Sequence, residues 1–237
     1  MSQVENPYQS PQYTIAAQAT ADARADFIRK TYVHLAGAVG AFVALEAVLL
    51  NTPGVKGLIA AMIGGRYSWL IVLGLFMFVS WIAENWARSA TSTSTQYMGL
   101  GLYVVAEAVI FLPLVYIAQM QAPGAVPAAA LTTLVLFGVL TAVVFMSGAD
   151  FSFLRTVLMF GGLAALVLIV LAIVVGFSLG PIFIAAMIAL ACGYILYHTS
   201  NVLHHYRIGQ HVAASLALFA SVALLLWYLI LLFSSRR

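Results

Sequence analysis

The sequence predicts an all-α membrane protein, a bundle of seven helices. Three observations carry this. Only 7% of the 237 residues are charged and 64% are hydrophobic, whereas a soluble domain carries about 25% charge, so polar side chains are too few to cover a globule. Apolar stretches of about 20 residues, the length that crosses a bilayer, recur along the chain. The breaks between them are built from Pro, Gly, Asn and Ser, residues that stop helices and turn the chain.

Residues 1–26 are polar and lack the basic-then-apolar start of a cleavable signal peptide. They are expected to form a disordered tail ahead of a single bundle over 27–237. The first span is expected over about 32–50, stopping at Asn51, Thr52, Pro53 and Gly54. Ala36, Gly40 and Ala44 make a small-residue stripe on it that would allow close helix contact. The second, about 67–87, is rich in aromatics and ends at Glu84 and Arg88. The third, about 97–118, carries Glu107 near its middle and Pro113 beyond it. The fourth covers about 128–146, and the fifth, almost wholly aliphatic, about 153–175. The sixth covers about 182–206 and the seventh about 211–233.

Lys and Arg counts set the expected orientation. With the N-terminus inside, the inner regions carry Arg24, Arg29, Lys30, Arg88, Arg155 and Arg207. The outer ones carry Lys56, Arg66, Arg236 and Arg237. The six-to-four balance favours a cytoplasmic N-terminus, while the two terminal arginines pull the C-terminus the same way. If they prevail, one segment is re-entrant or six helices span.

Ionisable groups at membrane depth cost about 2.5–3.5 kcal/mol on insertion scales and call for a reason. Glu107 is flanked by Val105, Ala106, Ala108 and Val109 with no basic residue nearby in sequence. It must be protonated, paired with another helix or open to water. Glu84 and Arg88 are spaced for an i,i+4 ion pair at a helix end. Glu46 reads as an interfacial carboxylate near Asn51. Tyr194, His198, Asn201 and His205 are spaced by four, three and four and share one helix face, which must point at protein or water. His198, with an unperturbed pKa near 6.5, can change charge near neutral pH. His204, His205 and His211 read as interfacial. Asp150, two residues before Ser152, reads as a cap for the fifth helix.

Several classes drop out. A retinal protein needs a lysine in a late helix, and the lysines are Lys30 and Lys56. HExxH is absent, and no glycine-flanked serine nucleophile stands out in a span. The basic residues are scattered, so no nucleic-acid partner is expected. Cys192 is the single cysteine and leaves no disulfide or CxxC pattern. No cofactor is expected. A metal-dependent membrane hydrolase using His198, His205 and a carboxylate is a remote alternative.

The run from Arg29 to Gly37 (RKTYVHLAG) resembles the start of the transmembrane Bax inhibitor motif, or lifeguard, family. Gly99 to Leu114 (GLGLYVVAEAVIFLPL), Thr133 to Leu140 (TLVLFGVL) and Gly193 to Thr199 (GYILYHT) follow in the family's order. The resemblance covers about residues 27–233 and is strongest to the bacterial branch. It implies six helices around a central, C-terminal seventh, and a bacterial cytoplasmic membrane. It also implies either a pH-sensitive calcium leak, with Ca²⁺ as transported ion rather than cofactor, or a regulator of a membrane protease, and no enzyme. In calcium-leaking members two aspartates pair between the sixth and seventh helices. Their places are taken here by His198 and Ser221. A His/Ser pair offers no negative charge, so any cation would depend on Glu107, Glu84 or Glu46. Candidates for a sensor or pore are therefore His198, Ser221, Glu107, Glu84 and Arg88.

Overall fold

The computed structural model describes residues 14–89 and 92–235. Its elements are helical throughout: α1 (Ala21–Leu50), α2 (Val55–Ile63), α3 (Ser68–Ala87), α4 (Thr93–Gln121), α5 (Ala125–Ser147), α6 (Leu154–Leu171), α7 (Pro181–His204) and α8 (His211–Ser234). A π-helical turn, Ala172–Gly176, extends α6. All but α2 are long and apolar enough to cross a membrane, which makes seven candidate spans. The expected sixth and seventh spans are α7 and α8. The nine residues of α2, about 14 Å long at 1.5 Å each, cannot cross. They pack on α3 and α4.

Part of the segment expected as a tail, residues 14–26, is described and is helical from Ala21. Residues 1–13 lie outside the described residues, as do Arg236 and Arg237, on which the alternative orientation rested. Thr20 caps α1 by accepting the Ala23 amide, which starts the helix at Ala21. Asp26 pairs with Arg29 and Lys30, each at 2.7 Å, which supports a solvated turn at the helix start. Before the cap, the Ala16 amide donates to Tyr206 O and Thr14 O accepts from Ile208. The N-terminal segment is thus stitched to the α7–α8 link.

The packed face of α1 is Phe27, Thr31, Leu35, Ala38, Phe42 and Glu46, a spacing of four and three that holds one helix face. The small-residue stripe does not take part: Ala36, Gly40 and Ala44 are exposed. Large side chains that reach across the gap make the α1 interface instead. Glu46 is a second correction. It is only 7% exposed, on the face of Phe42, and neither carboxylate oxygen has a hydrogen-bond partner. Proximity to the Asn51 turn suggested the interface, but helix phase turns the side chain inward.

An aromatic cluster joins α1, α4 and α8. Phe111 meets Phe42 edge-on at 5.0 Å and Trp227 at 5.0 Å, and Phe42 meets Phe219 at 6.0 Å. Such pairs are worth about 0.5–1.5 kcal/mol each beyond burial. Ser215 adds a polar tie, donating to Thr31 O on α1 at 2.8 Å. The backbones of α3 and α4 approach closely at Gly99, where a Cβ would stand 2.5 Å from Ala83 O and 2.6 Å from Ala87 N.

The interior is shared by α4 and α8, the most buried of the spans. Helix α8 packs on α1, α3, α4, α5 and α7, whereas α6 leans on α7 and meets the other helices only slightly. The ring of six expected around the last helix is therefore left open at α6, and that opening shapes the site.

Candidate functional site

Where α6 stands away from the bundle, a cavity of about 440 Å³ forms among α3, α4, α6, α7 and α8. Its polar wall comes from four helices: Glu84 on α3, Glu107 on α4, His198 on α7 and Ser221 on α8. A smaller cavity of about 120 Å³ shares Glu84 and His198 and reaches Arg88. It leads toward the end of the bundle where α1 begins. The five residues singled out as sensor or pore candidates thus lie on two adjoining cavities. Helix phase turns Glu107, His198 and Ser221 inward, and the way the helices lean on one another brings them to a shared wall.

Glu107 is 6% exposed. Tyr103, one turn earlier, faces its carboxyl, and no ion pair to Glu107 exists among the described residues. Glu84 and Arg88 form the expected helix-end pair at 3.6 Å, with both side chains well exposed. Net attraction there is worth less than about 1 kcal/mol. His198 stacks on Tyr194 at 6.0 Å, and its Nδ1 is buried with no hydrogen-bond partner. Ser221 donates to Ala217 O of its own helix. The two residues at the sensor positions thus share a cavity wall, and Ser221's bond is spent within α8.

The polar stripe of α7 divides. Tyr194 donates to Leu158 O of α6 at 2.9 Å, and with His198 it faces the cavity. His205 ends the helix and meets Asp150 Oδ2 at 2.9 Å. His198 and His205 therefore serve separate places, which removes the geometry for a metal site shared by the two. Among the described residues no group of three or more His, Cys, Asp or Glu converges as a metal site would require.

Asp150 does not cap a helix as expected. Helix α6 begins at Leu154 with no side-chain cap. Asp150 Oδ1 instead accepts from the Ser152 amide at 2.9 Å and from the Ser200 hydroxyl at 3.3 Å, while Ser200 accepts from the Phe151 amide. The Asp-x-Ser pattern thus makes a turn that ties the α5–α6 loop to α7. The Ser152 amide, followed by His205, holds the Asp150 carboxyl below its usual range. A second cluster was not legible in the chain: His34 Nε2 meets the Tyr97 hydroxyl at 3.0 Å and the His34 ring lies 5.0 Å from His211. It joins the middle of α1 to the starts of α4 and α8, and no sequence spacing links them.

Seven apolar helices, five of which line a cavity carrying two carboxylates and an imidazole with an unbonded Nδ1, define a multi-pass helical membrane protein. Over residues 24–237 the chain matches the family described as inhibitor of apoptosis-promoting Bax1. It belongs to that Bax inhibitor family. Comparison with curated proteins and with solved structures gave no match.

Proposed function

We propose that this chain is a cation leak of the bacterial cytoplasmic membrane, with its N-terminus inside, and not an enzyme. The observation that carries the reading is the convergence of Glu84, Glu107, His198 and Ser221 from four helices on one cavity. In low-dielectric surroundings a carboxylate replaces part of an ion's hydration, and Glu107 is the carboxylate with no cation already beside it. Tryptophans Trp69 and Trp227, stacked at 5.9 Å, flank the opposite, apolar end and serve as the constriction. Protonation of His198 adds positive charge to the cavity wall that carries both glutamates, so cation flux falls as that histidine becomes protonated. An aspartate pair would act through loss of negative charge, so the family's two-aspartate sensor does not operate here. The inside N-terminus draws support from Arg24, Arg29, Lys30, Arg88, Arg155 and Arg207 lying at one end of the spans.

The test is Ca²⁺ flux into liposomes across pH, with Glu107→Gln expected to lower it at least tenfold. Absence of flux above empty vesicles at every pH sinks the proposal. A second reading is a non-conducting regulator of a membrane protease. It draws support from the bond that Ser221 makes within its own helix and from the apolar outer half of the cavity. Under it a protease co-purifies and its regulation survives Glu107→Gln.

A further inference from the structure

We infer that the same cavity is a binding site for a single-chain amphiphile with a primary ammonium head, entering sideways from the bilayer. The inference concerns the cavity assigned to transport but stands whether or not ions pass. The cavity runs from Glu84 to Trp69 along α3. The fifteen helical steps between them span about 22 Å at the helical rise. Its chemistry is segregated along that length. Glu84 and His198 lie toward one end, Glu107 and Ser221 stand about midway, since Gly99 is level with Ala83 and Glu107 is eight residues farther along α4, and Trp69 and Trp227 lie at the other end with aliphatic side chains such as Leu166 and Ile169. A water-filled pore has no need of such an end, whereas a hydrocarbon tail does. The volume of about 440 Å³ falls within the range of about 300–1,000 Å³ found for small-molecule sites.

Access is lateral. Helices α3 and α6 bound the cavity from opposite sides but do not pack on each other, because α6 rests on α7. The gap between them faces the acyl chains.

The head is chosen by what the polar end lacks. Glu84 already has Arg88 at 3.6 Å, but Glu107 has no basic partner among the described residues, and His198 Nδ1 is buried and unbonded. Glu107, the imidazole nitrogen and the Ser221 oxygen are acceptors. An ammonium group brings three donors and one positive charge. A carboxylate or sulfate head brings further acceptors to a wall already made of acceptors, and a hydroxyl head brings a single donor.

The experiment uses the full chain in nanodiscs of zwitterionic lipid, with Trp81→Phe and Trp86→Phe removing the tryptophans on the outer surface. Quenching of the remaining tryptophan fluorescence is titrated with terminally brominated dodecylamine, dodecanol and dodecanoate. The expected result is saturable quenching by the amine, at least tenfold weaker for the alcohol and the acid, and at least tenfold weaker for the amine with Glu107→Gln. Leu166→Phe, which fills the apolar end, abolishes the saturable part and decides the matter should Glu107→Gln fail to fold. Linear quenching alike for all three heads means partition into lipid only and overturns the inference. Saturable binding that ignores both the head and Glu107→Gln overturns it too. A chain that binds the amine but conducts nothing overturns only the transport reading. One that conducts but has no saturable amine site overturns only this inference.

Discussion

Gly99 is the position at which one methyl group tests the packing of the bundle. Placed there, a Cβ would stand 2.5 Å from the Ala83 carbonyl oxygen, 2.6 Å from the Ala87 nitrogen and 3.0 Å from Trp86 Cβ. The first two are main-chain atoms of a helix, so no rotamer change relieves them. Ordinary contact begins at 3.4 Å, and α3 and α4 must separate by about 0.9 Å to reach it. Overpacking of this kind costs about 1–3 kcal/mol. Because backbone meets backbone, Gly99→Ala belongs near the upper figure, about a hundredfold in the folding equilibrium. Gly101, two residues on, has nothing within 4 Å of its would-be Cβ, so Gly101→Ala is the matched control. Unfolding in mixed micelles by SDS titration, followed by tryptophan fluorescence, measures both. Gly99→Ala should lose about 2–3 kcal/mol and Gly101→Ala less than about 0.5 kcal/mol. Equal stability of the two variants would refute the close approach of α3 and α4. The separation also moves Glu84 away from Glu107, so residual folded Gly99→Ala should show altered flux.

Two further outcomes concern polar ties. Ser215→Ala deletes a fully buried hydroxyl that bonds Thr31 O and His211 O, and the same micelle titration should show a loss of about 1 kcal/mol. The Asp150 carboxyl titrates below its ordinary value because the folded state hydrogen-bonds its anion. Its contribution is therefore present above the unfolded pKa near 3.8 and fades as pH falls through the lower folded value. With side chains 43% and 48% exposed, the Asp150–His205 pair contributes less than about 1 kcal/mol. Thermal midpoints scanned from pH 6 to pH 2 should fall more steeply for the native chain than for Asp150→Asn, and parallel curves would remove the latch.

Much of the architecture was legible because a bilayer imposes length and composition. Seven apolar spans separated by turn residues could be marked to within a few positions, save at α1, where the Thr20 cap lies well before the apolar run begins. The cavity residues were legible for a related reason. A Glu or a His inside hydrocarbon must face protein or water, so Glu107 and His198 announced themselves by cost, while Ser221 was reached through the family resemblance. What phase and partner decide was not legible. The stripe of Ala36, Gly40 and Ala44 looked like an interface and faces outward, because large side chains on the other face of α1 bury more and reach farther. Glu46 looked interfacial and is buried. Asp150 looked like a cap and is instead a tie between the α5–α6 loop and α7, since its partners Ser200 and His205 lie some fifty residues away in sequence.

By itself the sequence determined the solvent, the number of spans and the family, and it named the costly polar residues, since each of these follows from local composition, order and length. Only the tertiary structure decided that α6 stands off the bundle, that this leaves a cavity rather than a closed core there, and that Glu84, Glu107, His198 and Ser221 share it. Those facts depend on how helices far apart in the chain turn and lean against one another, and periodicity within a single helix carries no information about a neighbour's distance.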